Sequence, residues 1–142
     1  MAKFFNKEDE RQILDAIKDA ESDTSGEIRV HIQERCKGDP IETAKKVFER
    51  IGMTSTEKRN GVLFFLAYAD RKFAILGDKG IDDAVPDDFW RSIVETVISH
   101  FKEGRFTHGL RDGILETGRA LKKYFPYQSD DVNELKDEIS HG

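Results

Sequence analysis

Apolar and polar positions alternate from residue 27 to 34: Ile28, Val30 and Ile32 point one way, Arg29, His31 and Gln33 the other. That period predicts a strand with one wetter face. Before it, Ile13, Leu14, Ile17 and Ala20 recur at helical spacing behind Asn6, a natural helix cap, and Thr24-Ser25-Gly26 ends the helix. After it, Asp39-Pro40 with Glu42 reads as cap, first helical position and third-position acid. This second helix buries Ile41, Ala44, Val47, Phe48 and Ile51, and Gly52 suits its C-terminal stop. A polar loop over residues 54–60 leads into Gly61-Val62-Leu63-Phe64-Phe65-Leu66-Ala67-Tyr68-Ala69, a run expected in a strand buried on both faces. Asp70-Arg71 suits a two-residue hairpin returning through Lys72-Phe73-Ala74-Ile75-Leu76-Gly77, and Asp78-Lys79-Gly80 breaks the chain. A third helix is expected directly after Pro86, with Phe89, Trp90, Ile93, Val94, Val97, Ile98 and Phe101 inward and Gly104 as its stop. Thr107 would cap a last helix carrying Leu110, Ile114, Leu115, Leu121 and Phe125, halted by Pro126.

The order αβαββαα predicts a small α/β sandwich. A strand–helix–strand crossover joins two parallel strands, and the hairpin adds an antiparallel one. At 142 residues the chain has the size of one domain and buries roughly two-thirds of its unfolded surface without a staple. The domain is expected over residues 1–128. Residues 129–142 form an acidic tail, with Asp130, Asp131, Glu134, Asp137 and Glu138 against Lys136, read as frayed or weakly helical. The net charge of −5 argues against a general nucleic-acid surface, and no RNP-like motif offers bases a stacking platform. The start of the chain shows no targeting segment, and the longest apolar run is about half a membrane span, so no membrane anchor is expected. The lone Cys36 excludes a disulfide framework and fits a reducing cytoplasm.

This topology sorts the polar residues onto two edges of the sheet. One edge collects Ser25, Gly26 and Glu27, then Asn60 and Gly61, then the block from Gly77 to Asp83. The other collects Glu34, Arg35, Cys36 and the Asp70-Arg71 turn. On the first edge Asp78, Asp82, Asp83, Asp87 and Asp88 are five carboxylates interrupted by glycine, a pattern that suits a hard divalent cation. The spacing is not that of an EF-hand. Asp87 and Asp88 would equally serve the first turn of a helix after Pro86. The second edge lies at the carboxyl ends of the parallel strands, where open α/β sheets gather ligands. Cys36 has no histidine placed beside it, and the histidines show no metal-binding spacing. The residues alone leave both edges open.

Thr24-Ser25-Gly26-Glu27-Ile28-Arg29-Val30 resembles the first block of the TPM domain family. Arg59-Asn60-Gly61-Val62-Leu63, Arg71-Lys72-Phe73-Ala74-Ile75 and Gly77-Asp78-Lys79-Gly80-Ile81 are similar to its central blocks. Phe101, Gly104-Arg105-Phe106, Gly109-Leu110, Gly113-Ile114 and Tyr124-Phe125-Pro126 continue the likeness, so it spans roughly residues 7–126 in order. The resemblance implies a three-layer α/β/α sandwich with helices on both faces of a small mixed sheet. The family includes a thylakoid lumen member linked to photosystem II repair, and acid phosphatase activity and calcium binding at loop acids are attributed to it. Carried over by position, it favours the first edge. The metal set expected there is Asp78, Asp82, Asp83 and Asp87, with Glu27, Asn60 and Lys79 at the border, and calcium or magnesium as a weakly held cation. The alternatives are a metal-assisted phosphatase, with Lys79 and Arg59 neutralising phosphate, and a module that binds a protein partner through the tail or a helix face.

Overall fold

A computed structural model of the chain describes residues 4–127 and 139–142. In chain order the elements are α1 (Lys7–Glu21), β1 (Glu27–Gln33), α2 (Pro40–Arg50), β2 (Gly61–Ala67), β3 (Lys72–Gly77), α3 (Lys79–Ala84), α4 (Arg91–Lys102), α5 (Phe106–Leu121) and β4 (Ile139–His141). The strands lie in the order β3-β2-β1-β4, with β1 parallel to β2 and β4 and β3 antiparallel to β2.

The period-2 pattern of β1 and β2 divides the core. Ile28, Val30, Ile32, Val62, Phe64 and Leu66 face one layer, where they meet Ile13 and Ile17 of α1, Ile93 and Val97 of α4, and Leu110 and Ile114 of α5. Leu63, Phe65 and Ala67 face the other layer and pack with Ala44, Val47 and Phe48 of α2. All seven residues of β2 are buried, as an apolar run covered on both faces requires. The result is the α/β/α sandwich.

The helix ends follow their sequence signals. Asn6 and Asp9 form a reciprocal capping box on α1, and Asp39 caps α2 by accepting from Ile41 N–H, with Pro40 in the first turn. Gly52 and Gly104, at φ +77° and +74°, end α2 and α4 in the left-handed conformation that costs glycine least. Behind them Met53 N–H donates to Phe48 O and Arg105 N–H to His100 O.

Four expectations need correction. The hairpin register pairs Ala67 with Lys72, so four residues, 68–71, close the turn instead of two. Tyr68 and Ala69 donate their N–H groups to Gln33 O and Glu34 O, extending the ladder with β1 and leaving β3 to start later. The shift is two residues, so every β3 side chain keeps its face. Second, Asp78 does not break the chain but caps the short helix α3. Third, residues 86–90 form turns before α4: Phe89 packs edge-to-face on Trp90 and faces Tyr124, which draws the chain inward before the helix begins. Asp87 and Asp88 therefore precede the helix, and Thr107 falls inside α5, whose cap position is Arg105. Fourth, within the tail, residues 139–141 are a strand paired with Val30, His31 and Ile32 of β1, and Ile139 packs on the core. The expectation for residues 129–138 lies outside the described residues. Among the described residues no helix is long and apolar enough to cross a membrane.

Candidate functional site

The register brings three strand ends to one edge. Glu27 opens β1 opposite Gly61, which opens β2, and Val62 pairs with Gly77 at the end of β3. Backbone hydrogen bonds stitch the edge: Glu27 N–H donates to Asn60 O at 3.2 Å, and Asp78 N–H to Gly61 O at 2.9 Å. Asn60 is buried. Its N–H donates to Thr56 Oγ1 at 3.1 Å, and its side-chain amide reaches Ser25 Oγ at 3.4 Å.

Asp78 is the anchor of this edge. Its side chain is only 5% exposed, and both oxygens meet the guanidinium of Arg59: Nε donates to Oδ2 at 2.6 Å and Nη2 to Oδ1 at 2.9 Å. Oδ1 also accepts from Lys79 N–H at 2.8 Å, which starts α3. The carboxylate beside it raises the Arg59 pKa further. A bidentate, charge-assisted pair of this kind fixes orientation as well as contributing energy. Arg59 itself has φ +51°, a conformation few non-glycine residues adopt. Gly80 lets the loop close over α3: its N–H donates to Arg59 O at 2.8 Å, and a Cβ there would lie 2.1 Å from Lys58 O.

A groove of about 420 Å³ opens between this loop, the α2 surface and α3. Asp78, Lys79, Asp82, Asp83 and Arg59 line it, together with Lys45, Glu49 and Thr54 from the α2 side. Four of the expected residues, Asp78, Lys79, Asp82 and Asp83, thus share one groove. Asp87, Glu27 and Asn60 do not line it; Asp87 is exposed in the turn after Pro86, while Glu27 and Asn60 are buried at the strand starts. Among the described residues, no three or more His, Cys, Asp or Glu side chains are arranged to hold a metal ion. Asp78 is engaged by Arg59, and Lys79 Nζ lies 3.5 Å from Asp83 on the next helical turn. Partial desolvation of the carboxyl, then the charges of Asp83 and Asp78, push Asp82 above its usual range. The groove therefore pairs a crowded cluster of acids with the cations Lys45, Arg59 and Lys79.

Three polar groove residues were not among the expected site residues: Lys45, Glu49 and Thr54. Lys45 and Glu49 sit on the polar side of α2, where their spacing reads as an ordinary solvated face, and Thr54 lies in the polar loop after it. The Arg59–Asp78 pair was hidden by the hairpin register, because a two-residue turn would set Asp78 opposite Leu63 instead of Gly61.

The opposite edge is closed. Asp70 Oδ2 accepts from Cys36 N–H at 2.7 Å, and its Oδ1 lies 3.2 Å from Arg35 Nη1. Lys72 Nζ donates to Cys36 O at 2.9 Å and Gly38 O at 2.6 Å. Cys36 is buried beside Thr43 Oγ1 at 3.3 Å, as a spectator thiol would be.

The sequence matches the TPM domain over residues 1–120. No curated protein matches the chain. Among solved structures, it is similar to the NMR structure of BA42 protein from the psychrophilic bacterium Bizionia argentinensis, at 46% identity and a TM-score of 0.94, covering 100% of this chain and 98% of that one. The N-terminal domain of cg2496 protein from Corynebacterium glutamicum superimposes with a TM-score of 0.66 at 14% identity, over 96% of this chain and 80% of that one. An N-terminal domain from P. gingivalis gives 0.68 at 19%, over 87% and 82%. The last two share the fold alone. With its family match covering most of its length, the chain belongs to the TPM domain family.

Proposed function

We propose that this TPM domain binds a divalent cation, calcium or magnesium, in the groove beside α3. The observation that carries the reading is that Asp78, Asp82 and Asp83 line one groove. Asp82 and Asp83 are the exposed members and serve as the direct ligands; Asp78, held by Arg59, adds charge from behind. The raised Asp82 pKa, due first to partial burial and then to the charges of Asp83 and Asp78, supports it, because a bound cation offsets both costs of ionising the carboxyl. Carboxylate oxygens are the donors hard cations take, and water completes the shell where the protein supplies few ligands. Few protein ligands mean weak affinity, with Kd on the order of 10⁻⁴–10⁻³ M. Asp87 drops out of the ligand set because it does not line the groove.

Ten-fold excess of cation over Kd should stabilise the fold by about 1.4 kcal/mol, read as a rise in thermal midpoint. The double variant Asp82→Asn, Asp83→Asn should show no rise. An equal rise in both proteins would locate the cation elsewhere.

A metal-assisted phosphatase is the second reading, favoured by Lys45, Arg59 and Lys79 lining the same groove as the acids. A divalent cation there would polarise a phosphoryl oxygen while the three basic side chains neutralise the rest of the phosphate. Hydrolysis of p-nitrophenyl phosphate that survives the double substitution unchanged would rule it out.

A further inference from the structure

His31 lies at the centre of β1, fully buried, with its ring stacked on Phe65 at 5.8 Å between centroids. Its two nitrogens bond in opposite directions: Nε2 to Gln33 Oε1 at 2.9 Å, and Nδ1 to Ser140 Oγ of β4 at 3.0 Å. The Gln33 amide is oriented by its own NH₂ group, which donates to Arg35 O at 2.7 Å. Gln33 Oε1 therefore accepts, so Nε2 carries the hydrogen, and Nδ1 accepts from the Ser140 hydroxyl.

That directional chain ties β4 to the sheet. β4 pairs with β1 over only three residues, and Gly142 N–H adds one bond to Ile32 O at 2.9 Å. Gly142 lies against the imidazole: a Cβ on it would come 2.8 Å from Nε2. We propose that β4 is a pH-sensitive strap: neutral His31 holds it on β1, and a proton taken up at His31 Nδ1 releases it.

The Ser140 hydroxyl can turn to accept from a protonated Nδ1, so the lost bond is not the driving term. The driving term is a buried cation. Among the described residues the charged groups that face His31 are Arg50 of α2, His141 of β4 and Arg29 of β1, and all three oppose a further positive charge. The stack below it on β2 is the apolar Phe65. Burial and these charges hold the imidazole below its usual pKa. With β4 lifted, the ring meets water and regains an ordinary pKa near ~6.5. The sign follows: the closed strap binds fewer protons than the open one, so its stability is complete above the open-state value and falls as pH drops below it. Opening leaves Val30, His31 and Ile32 with an unpaired strand edge. On the other face of β4, His141 Nε2 lies 3.6 Å from Glu10 Oε1 of α1, a pair that strengthens as His141 gains a proton and so works against release.

The test is amide hydrogen exchange of the whole chain between pH 7.5 and 5, with ring titration of both histidines by NMR. Protection of the β4 amides and of Gly142 should fall by up to about tenfold per pH unit below ~6.5, following the His31 titration. Protection of the β2 amides should hold. His141→Gln removes one opposing charge and the Glu10 pair together, so it should keep this dependence, and His31→Gln should abolish it. Should His31→Gln fail to fold, the wild type and His141→Gln decide the matter. Protection that is flat with pH, or a dependence that disappears in His141→Gln, would overturn the proposal.

Discussion

Each edge of the sheet ends on an aspartate that ties the chain together, yet the two edges differ in what lies beside that aspartate. At the carboxyl ends of β1 and β2, Asp70 holds the Cys36 N–H and faces Arg35, while Lys72 bonds to two carbonyls. At the other edge, Asp78 holds Arg59 and caps α3, and a groove of about 420 Å³ remains beside it with Asp82 and Asp83 on its wall. The contrast arises from the chain just beyond each aspartate. Asp70 sits in a four-residue turn whose flanking strands fold back at once. Asp78 leads into a six-residue helix that projects two further acids past the sheet. At the carboxyl ends of the parallel strands, where open α/β sheets gather ligands, Lys72 spends its ammonium on two backbone carbonyls.

The largest expected effect comes from breaking the Arg59–Asp78 pair from its exposed side. Arg59→Met leaves a buried carboxylate without its bidentate partner and should cost about 2–3 kcal/mol by chemical denaturation. Gly80→Ala should cost about 1–3 kcal/mol, because the new methyl meets the Lys58 carbonyl and the loop must shift off α3. Asp70→Asn should cost less, about 1 kcal/mol: the amide oxygen still accepts from Cys36 N–H, and the Arg35 contact it weakens is largely exposed. A loss at Asp70 equal to that at Arg59 would erase the distinction between an anchored and a merely closed edge.

The smallest effect sharpens the comparison at the groove itself. Asp83→Asn removes one of the charges that raise the Asp82 pKa, so carboxyl ¹³C titration should show Asp82 moving down toward its usual range. The raised value means that the folded state holds the Asp82 proton more tightly than the unfolded chain. Asp82 therefore favours folding at low pH and opposes it as pH climbs through the raised value, and Asp83→Asn should flatten that slope. No movement of Asp82 would mean that burial and the Asp78 charge raise it without Asp83.

Most of the scaffold was legible because it rests on local rules. The alternation of β1, the apolar run of β2, the caps at Asn6 and Asp39 and the stop at Gly104 each follow from a few neighbouring residues. The missed features depend on partners far along the chain. β4 exists because Ile139 and Ser140 meet Val30 and His31 more than a hundred residues away, and nothing in an acidic tail signals that contact. The helix α3 is six residues long, too short for a periodic pattern, and is fixed by Asp78 on one side and the Arg59 carbonyl on the other. The candidate site was legible as an edge but not as a ligand set. Acids close in sequence were expected to converge, whereas the Arg59 guanidinium takes Asp78 and the turn after Pro86 separates Asp87.

The central claim is that the groove beside α3 takes a divalent cation. Calcium and magnesium titrations of the whole chain, followed by ¹⁵N–¹H spectra, test it most directly. Shifts concentrated in Lys79–Ala84 and at Glu49 on the facing wall, saturating at about millimolar cation, are the predicted result. Shifts at Cys36 and residues 70–72, or none in α3 at all, would contradict it.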